Sequence, residues 1–253
     1  MRVRPSLLLV ATALAAFFVA QTALGSTGAA DSGTLADFQP AVALAQPSTA
    51  AQPARPRGHL LASAGAAVPY SARPGGPSVG QLAATTEFGS QQVLSVAARH
   101  GAWLGVVTTA VPDGRLAWIK RAALTLRRTR WSLHADLSEH TLTLLRYGRA
   151  VHRISVAVGR PGSETPTGRF AVTDKIAGSS YGPYYGCCIL ALNAHQPHTP
   201  PGWTGGNRIA IHGADSPSTI GTAASAGCLR AGDADLRGLM ERVPVGAPVS
   251  ISA

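Results

Sequence analysis

The sequence predicts a mainly β fold, a sandwich of mixed sheets with one helix near the C-terminal end. Short apolar segments, many of them bounded by Gly, Pro or Asp, recur through the second half of the 253-residue chain, which is typical of β-sheets. Helical spacing of apolar residues is clear only from Ala234 to Arg242, where Leu236, Leu239 and Met240 share one face. Asp233 precedes this segment and is expected to cap the helix.

The N-terminal segment, residues 1–25, has the pattern of a secretory signal peptide. Arg2 and Arg4 precede an apolar run from Leu7 to Ala20, and Ala23-Leu24-Gly25 supplies a small-x-small cleavage site. An uncleaved anchor is the alternative, but the run is shorter than the ~20 residues that a spanning helix needs. The pattern therefore predicts export to the cell wall or the extracytoplasmic space, with membrane contact only before cleavage.

Residues 26–84 are predicted to form a flexible linker. The segment is rich in Ala, Pro, Gly, Ser and Gln and poor in large apolar residues, so it cannot bury enough surface to offset the entropy of ordering. Its prolines would keep the tether partly extended.

Residues 85–129 are predicted to form a small β-domain. Pro112-Asp113-Gly114 is a strong turn signal, and the ending A-W-I-K-R-A-A-L from Ala117 resembles the close of bacterial SH3-like domains. A wall-binding role and a purely structural role both remain open. The predicted strands are Val93–Ala97, Trp103–Val107 and Leu116–Ile119.

Residues 130–253 contain the remaining predicted strands. A turn at Tyr147-Gly148-Arg149 separates two of them, and a turn at Thr165-Pro166-Thr167-Gly168 precedes another. The strands are Trp131–Leu137, Leu142–Arg146, Val151–Val158, Phe170–Thr173, Cys188–Leu192 and Pro248–Ser252.

The long segment from Ile176 to Gly206 combines glycines and prolines with aromatic side chains. Tyr181, Tyr184, Tyr185 and Trp203 are suited to form a lid or a cleft wall, although they could equally pack beneath a long loop.

A histidine and a cysteine separated by a glycine-rich loop are the candidate reactive groups. His212 ends an apolar strand, and Cys228 follows a turn formed by Ser225, Ala226 and Gly227. A cysteine thiol is a weak nucleophile until a base or a positive neighbour activates it, and an imidazole can be that base. A buried structural cysteine and histidine are the alternative reading.

Three sequence blocks resemble the YkuD-type L,D-transpeptidase catalytic domain. They are I-A-I-H-G, which ends at Gly213, S-A-G-C-L-R, which ends at Arg230, and T-P-T-G-R-F, which ends at Phe170. Many members of that family have S-H-G-C, where this chain has Ala226 in place of the second histidine. His212 is therefore the candidate base.

The resemblance implies an exported cysteine L,D-transpeptidase that forms 3→3 peptidoglycan crosslinks. Cys228 would attack the tetrapeptide stem, His212 would move the proton, and the backbone carbonyl of Gly213 would orient the imidazole. The amides of Gly227 and Cys228 are the predicted oxyanion donors.

Further side chains are predicted to bind the substrate. Arg230 is suited to hold a carboxylate, with a structural salt bridge as its alternative, and Tyr184 and Ser225 complete the predicted substrate-binding set. Ser225 is also expected to shape the loop.

The resemblance also implies binding partners, and it leaves alternative functions open. Peptidoglycan stem peptides are the implied substrates, and carbapenem-type β-lactams are expected to acylate Cys228. The same residues would serve an L,D-carboxypeptidase, and a non-catalytic wall-binding protein is a further alternative.

Other classes of ligand are disfavoured. The formal net charge of +10 comes almost entirely from arginine, without a nucleic-acid-binding motif, so no nucleic acid is expected. No cofactor is expected, and the histidines and cysteines lack the spacing of a zinc site. Cys187 and Cys188 are expected to be two free thiols, because a bond between neighbouring residues would be strained.

Overall fold

The computed structural model describes residues 58–214 and 216–253. The predicted signal segment, most of the predicted linker (residues 26–57) and Asp215 therefore lie outside the described residues. The elements are β1 (His59–Ser63), β2 (Val68–Ser71), β3 (Ser78–Leu82), β4 (Val93–His100), β5 (Trp103–Val107), β6 (Ala117–Lys120), β7 (Thr125–Thr129), β8 (Trp131–Asp136), β9 (Thr141–Arg146), β10 (Arg149–Ser155), β11 (Val158–Gly159), β12 (Gly168–Ala177), β13 (Cys188–His195), β14 (Arg208–His212), β15 (Ala223–Ser225), β16 (Leu229–Arg230), α1 (Asp233–Arg242) and β17 (Pro248–Ser252).

The first seven strands form one antiparallel sheet in the order β3-β2-β6-β5-β4-β1-β7, hereafter the upstream sheet. Residues 59–82 supply three of its strands, so the prediction of a flexible linker as far as residue 84 is wrong for this part. Leu61 and Ala62 of β1 are buried, because β1 lies between β4 and β7. These short runs lie among Ala, Gly and Pro; β2 and β3 pair with each other, and β1 pairs with the distant strands β4 and β7. The SH3-like resemblance stays a prediction.

The remaining strands confirm the mainly β class with mixed sheets. Eight of them form one continuous sheet in the order β10-β9-β8-β17-β12-β13-β14-β16, and β11 and β15 form a small parallel pair. The pairs β17–β8 and β14–β16 are parallel, whereas the others are antiparallel. The ten-residue strand β12 joins the two halves of the sheet, since it pairs with β17 at its beginning and with β13 further along. The last strand of the chain therefore lies in the middle of the sheet.

One face of this sheet and helix α1 enclose the main hydrophobic core. Phe170, Leu190, Ile211 and Leu229 are almost completely buried there, and the helix contributes Leu236 and Leu239. The prediction that Asp233 caps the helix is wrong. Asp233 is the first helical residue, Gly232 occupies the N-cap position, and the Asp233 carboxylate instead accepts a hydrogen bond from the amide of Cys187.

The upstream sheet contacts the larger sheet through polar side chains on two of its loops. Thr86 donates a hydrogen bond of 2.5 Å to the buried carboxylate of Asp174. Asp113, at the predicted turn, accepts hydrogen bonds from the backbone and the ring of His195 at 2.9 and 3.0 Å. These contacts bring both loops to the end of the sheet that carries β13 and β14.

Within the described part of the chain, none of the helices is long and apolar enough to cross a membrane. The same residues contain no group of three or more His, Cys, Asp or Glu side chains placed to hold a metal ion.

Candidate active site

The two candidate reactive residues lie at the ends of neighbouring parallel strands at one edge of the large sheet. His212 ends β14, and Cys228 immediately precedes β16. In this pairing Ile211 lies opposite Leu229 and His212 opposite Arg230. Cys228 adjoins the pairing, because it precedes Leu229 and its sulfur accepts a hydrogen bond from the backbone of Ala210. The parallel strand pairing therefore brings together two segments that are separated in the sequence.

A backbone carbonyl and two tyrosines fix the ring of His212. The ring Nδ1 donates a hydrogen bond of 2.6 Å to the carbonyl oxygen of Gly213, which is the contact predicted for Gly213. A carbonyl oxygen can only accept, so Nδ1 carries the proton and Nε2 carries the lone pair of the neutral imidazole. The rings of Tyr184 and Tyr185 lie 5.4 and 4.9 Å from the imidazole and help to bury it completely.

The thiol of Cys228 lies in a largely desolvated environment. Burial raises the pKa of Cys228, although a hydrogen bond from the backbone of Ala210 and the positive charge of Arg230 both lower it. The residue as a whole keeps partial exposure. Tyr185 lines the same cavity as Cys228, and the pKa of Tyr185 is raised by burial first and by the charge of Cys228 second. At neutral pH the thiol is therefore predominantly protonated.

The turn that precedes Cys228 is held by the Ser225 hydroxyl. This buried hydroxyl donates to the carbonyl of Cys228 at 2.6 Å and accepts from the amide of Gly227 at 3.0 Å. The Gly227 amide thus has a partner within the turn, and the Ser225 hydroxyl shapes the loop as expected. The roles of Gly227 as an oxyanion donor and of Ser225 as a substrate-binding residue stay predictions. The Cys228 amide forms no hydrogen bond with the described residues and remains a candidate donor.

Two further side chains tie this turn to the rest of the site. Thr165, in the T-P-T-G turn, donates to the carbonyl of Gly227 at 2.8 Å. Gln196, just after β13, donates from Nε2 to the carbonyl oxygens of Ser163, Glu164 and Ala226 at 3.2, 3.0 and 3.0 Å. Sequence reasoning missed Gln196, because nothing in its local sequence distinguishes it from a surface residue; only its burial shows its role.

A cavity of about 50 Å³ adjoins the thiol, and hereafter it is called the thiol pocket. Tyr184 and Trp203 line it, so the aromatic segment does form a cleft wall, as one of the two readings predicted. Arg230 is buried with its Nε lacking a hydrogen-bond partner among the described residues, and its charge acts on Cys228. The residues that line the thiol pocket are Tyr184, Tyr185, Gln196, Thr199, Trp203, Gly205, Gly206, Asn207, Arg208, Ile209, Ala210, Ala226 and Cys228.

The remaining two cysteines form a disulfide, contrary to the prediction of two free thiols. Cys187 and Cys188 are bonded to each other, which leaves Cys228 as the free cysteine of the described residues. Cys187 lies before β13, and Cys188 is the first residue of that strand. The bonded pair adjoins the site, because the amide of Gly213 donates to the Cys188 carbonyl at 3.1 Å.

The fold and the site together define a mainly β protein with a histidine–cysteine pair at a sheet edge. Residues 130–251 match the family model of the YkuD L,D-transpeptidase catalytic domain. This match covers the region in which the three sequence blocks predicted a resemblance to the L,D-transpeptidase catalytic domain.

Two curated relatives share this region. The YkuD proteins of Bacillus licheniformis and Bacillus subtilis, both named as L,D-transpeptidases, are 31% and 29% identical to it over 124 residues. The match covers 48% of this chain and 66% of each relative, just under two thirds of their length.

Solved structures overlap the chain more loosely. An L,D-transpeptidase from Mycobacterium smegmatis is 20% identical, with a TM-score of 0.40 over 63% of this chain and 82% of that one. L,D-transpeptidase 3 from Mycobacterium tuberculosis, in complex with a faropenem-derived adduct, is 19% identical, with a TM-score of 0.40 over 54% and 66%. Overlaps of that size support no inference, and the fold class follows from the strands and registers themselves.

Proposed function

We propose that this protein is an exported cysteine L,D-transpeptidase that forms 3→3 crosslinks between peptidoglycan stem peptides. The observation that carries the proposal is the parallel pairing of β14 with β16, since His212 ends one strand and the free Cys228, which lines the thiol pocket, immediately precedes the other. The match of residues 130–251 to the family model supports the reaction class. Export rests on the pattern of residues 1–25 alone.

The first half of the reaction acylates Cys228. Since burial keeps the thiol protonated, Nε2 of His212 accepts its proton as the sulfur attacks the carbonyl at the L-centre of the stem's diamino acid. The Cys228 amide is the proposed donor to the oxyanion that forms. The tetrahedral intermediate then collapses to a thioester, and the imidazolium returns its proton to the departing amine of D-alanine.

The second half transfers the acyl group. An amine of a neighbouring stem attacks the thioester, His212 removes the proton of that amine, and the thiol of Cys228 is regenerated. Arg230 is the proposed anchor for a substrate carboxylate, because its guanidinium is buried beside the thiol without a full set of hydrogen bonds. Tyr184, which lines the thiol pocket, is proposed to contact the substrate there.

The outcome of the second half separates transpeptidase from carboxypeptidase. Purified protein should be incubated with tetrapeptide-bearing stems and the products analysed by mass spectrometry. Crosslinked dimers support the proposal, whereas trimmed monomers without dimers would show hydrolysis by the same pair. Unchanged substrate would favour a wall-binding protein.

Acylation by a carbapenem provides an independent test of the nucleophile. We expect a single adduct on Cys228, no adduct on Cys228→Ala, and adduct formation slowed by at least ~100-fold in His212→Ala, because general base catalysis typically contributes that much. An adduct that persists in Cys228→Ala contradicts the assignment.

A further inference from the structure

A second cavity of about 110 Å³ adjoins the thiol pocket, and a side chain of the upstream sheet forms part of its wall. Tyr185, Gly205, Arg208, Ile209 and Ala210 line both cavities, so the two lie side by side. The second cavity is completed by Phe88, Ile176, Tyr181, Ile189 and Ala191 and is hereafter called the side pocket. Apart from Arg208, its lining side chains are apolar or aromatic.

Phe88 reaches this position on the tip of an ordered turn. The amide of Thr86 donates to the carbonyl of Ser90 at 2.8 Å, and the amide of Gly89 donates to the carbonyl of Thr86 at 3.1 Å. The turn is anchored on the large sheet by the Thr86–Asp174 hydrogen bond and by an ion pair between Glu87 and Arg208. Phe88 is thus presented on a fixed support.

Ring contacts connect Phe88 to the candidate base. Phe88 and Tyr181 meet edge to face with centroids 6.2 Å apart, and Tyr181 and Tyr185 do so at 6.1 Å. Tyr185 in turn contacts His212. The guanidinium of Arg208 lies 5.8 Å from the Phe88 ring centroid, which fixes the other side of the ring.

The Phe88 ring is also accessible to a ligand. The ring remains 36% exposed although it contacts Tyr181 and Arg208. A large apolar side chain that lines a pocket and stays partly exposed is suited to contact a ligand. The methylene chain of a diamino acid fits walls of this composition, and the side pocket adjoins the thiol pocket where the carbonyl of that residue would react.

We propose that the side pocket binds the methylene chain of the diamino acid side chain of the peptide substrate and that Phe88, on the loop between β3 and β4 of the upstream sheet, determines specificity for that chain. This inference rests on the proposed function for the identity of the peptide. It gives the upstream sheet a part in substrate selection, in place of a spacer or an independent wall-binding role.

The test measures peptide binding in the Cys228→Ala background, where no chemistry occurs. Two tetrapeptides are compared by calorimetry, one with norleucine and one with alanine at the residue whose carbonyl would be attacked. Phe88→Ala should weaken binding of the norleucine peptide about five- to tenfold, since removing the ring deletes on the order of 50 Å² of apolar contact. Binding of the alanine peptide should change less than about twofold, because its side chain does not reach the ring.

Two further variants control the test. Tyr147→Ala removes another partly exposed aromatic ring, in the turn between β9 and β10 at the opposite edge of the sheet, and should change neither affinity. Phe88→Leu keeps an apolar side chain and should retain most of the affinity for the norleucine peptide. Iodoacetamide alkylation of Cys228 in the single Phe88→Ala variant, at the wild-type rate, would show that the site is intact.

The outcomes separate this inference from the proposed function. If Phe88→Ala leaves both affinities unchanged, as Tyr147→Ala should, or lowers the affinity for both peptides equally, the side pocket is not the subsite. That conclusion holds even where the wild-type protein produces crosslinks. If the norleucine peptide alone is weakened, the subsite stands, even where the wild-type protein converts neither peptide.

Discussion

Gly227 offers a direct test of how the turn before Cys228 is held. Its φ is +120°, a region that L side chains rarely adopt, and a Cβ there would lie 2.1 Å from Nε2 of Gln196. Gln196 cannot move away without losing hydrogen bonds, because the hydrogens on that nitrogen are shared among three carbonyl oxygens. Gly221→Ala is the matched control, since its φ is +86° and a Cβ there would meet open space.

The two substitutions should therefore differ in cost. Gly221→Ala incurs backbone strain alone, about 1–2 kcal/mol. Gly227→Ala incurs similar strain and also displaces the buried Gln196 amide from its acceptors, which adds about 2 kcal/mol at roughly 1 kcal/mol for each of the two hydrogens that the amide donates. We expect the free energy of unfolding in urea to fall by about 3–4 kcal/mol for Gly227→Ala, together with slower carbapenem acylation of Cys228.

A double-mutant cycle decides whether the clash with Gln196 is the cause. Gln196→Ala removes the side chain that the new Cβ would meet, so the two substitutions together should cost at least ~1 kcal/mol less than the sum of the single effects. Strict additivity within about 0.5 kcal/mol, or equal unfolding free energies for Gly227→Ala and Gly221→Ala, would refute this account of the turn.

Three other measurements follow from the structure. The raised pKa of Cys228 predicts that its alkylation by iodoacetamide is slower than that of a free thiol at pH 7 and accelerates through the alkaline range. Arg230→Met removes a charge that lowers this pKa and should slow alkylation further. An alkylation rate that has already reached its plateau at pH 7 would contradict the burial argument. A thiol titration of the denatured protein should find one free thiol before reduction and three after it, and three before reduction would exclude the disulfide between the adjacent cysteines. Thr86→Val removes the hydrogen bond to the buried Asp174 carboxylate and should lower the free energy of unfolding by about 1.5–3 kcal/mol, while no change in the urea midpoint would show that this contact does not hold the upstream sheet in place.

Local patterns were sufficient for much of the larger domain. The alternation from Trp131 to Leu137 and the apolar run ending at Ser252 correspond to β8 and β17, and the helical spacing corresponds to α1. The family was recognisable because its blocks place His212, Gly213 and Cys228 at distinctive spacings. Each of these features is a property of a few consecutive residues.

Other features arise from pairing between distant segments. The linker prediction was wrong for residues 59–82, because their composition does not show that β4 and β7 will pair with β1. The free-thiol prediction for Cys187 and Cys188 was wrong because the state of a cysteine depends on the conformation around it. The hydrogen bond from the Gly227 amide to Ser225 was not predicted for the same reason, since only the folded turn brings the two groups together.

By itself, the sequence determined the reactive residue types, their spacing and the mainly β class, since periodicity, turn chemistry and family blocks are written in consecutive residues. The tertiary structure alone decided which groups meet: the parallel pairing that puts Cys228 beside the strand of His212, the Gln196 amide that supports the turn, and the Phe88 ring at the side pocket. Such contacts join residues up to more than a hundred positions apart, and they form only when the whole chain buries its apolar surface together.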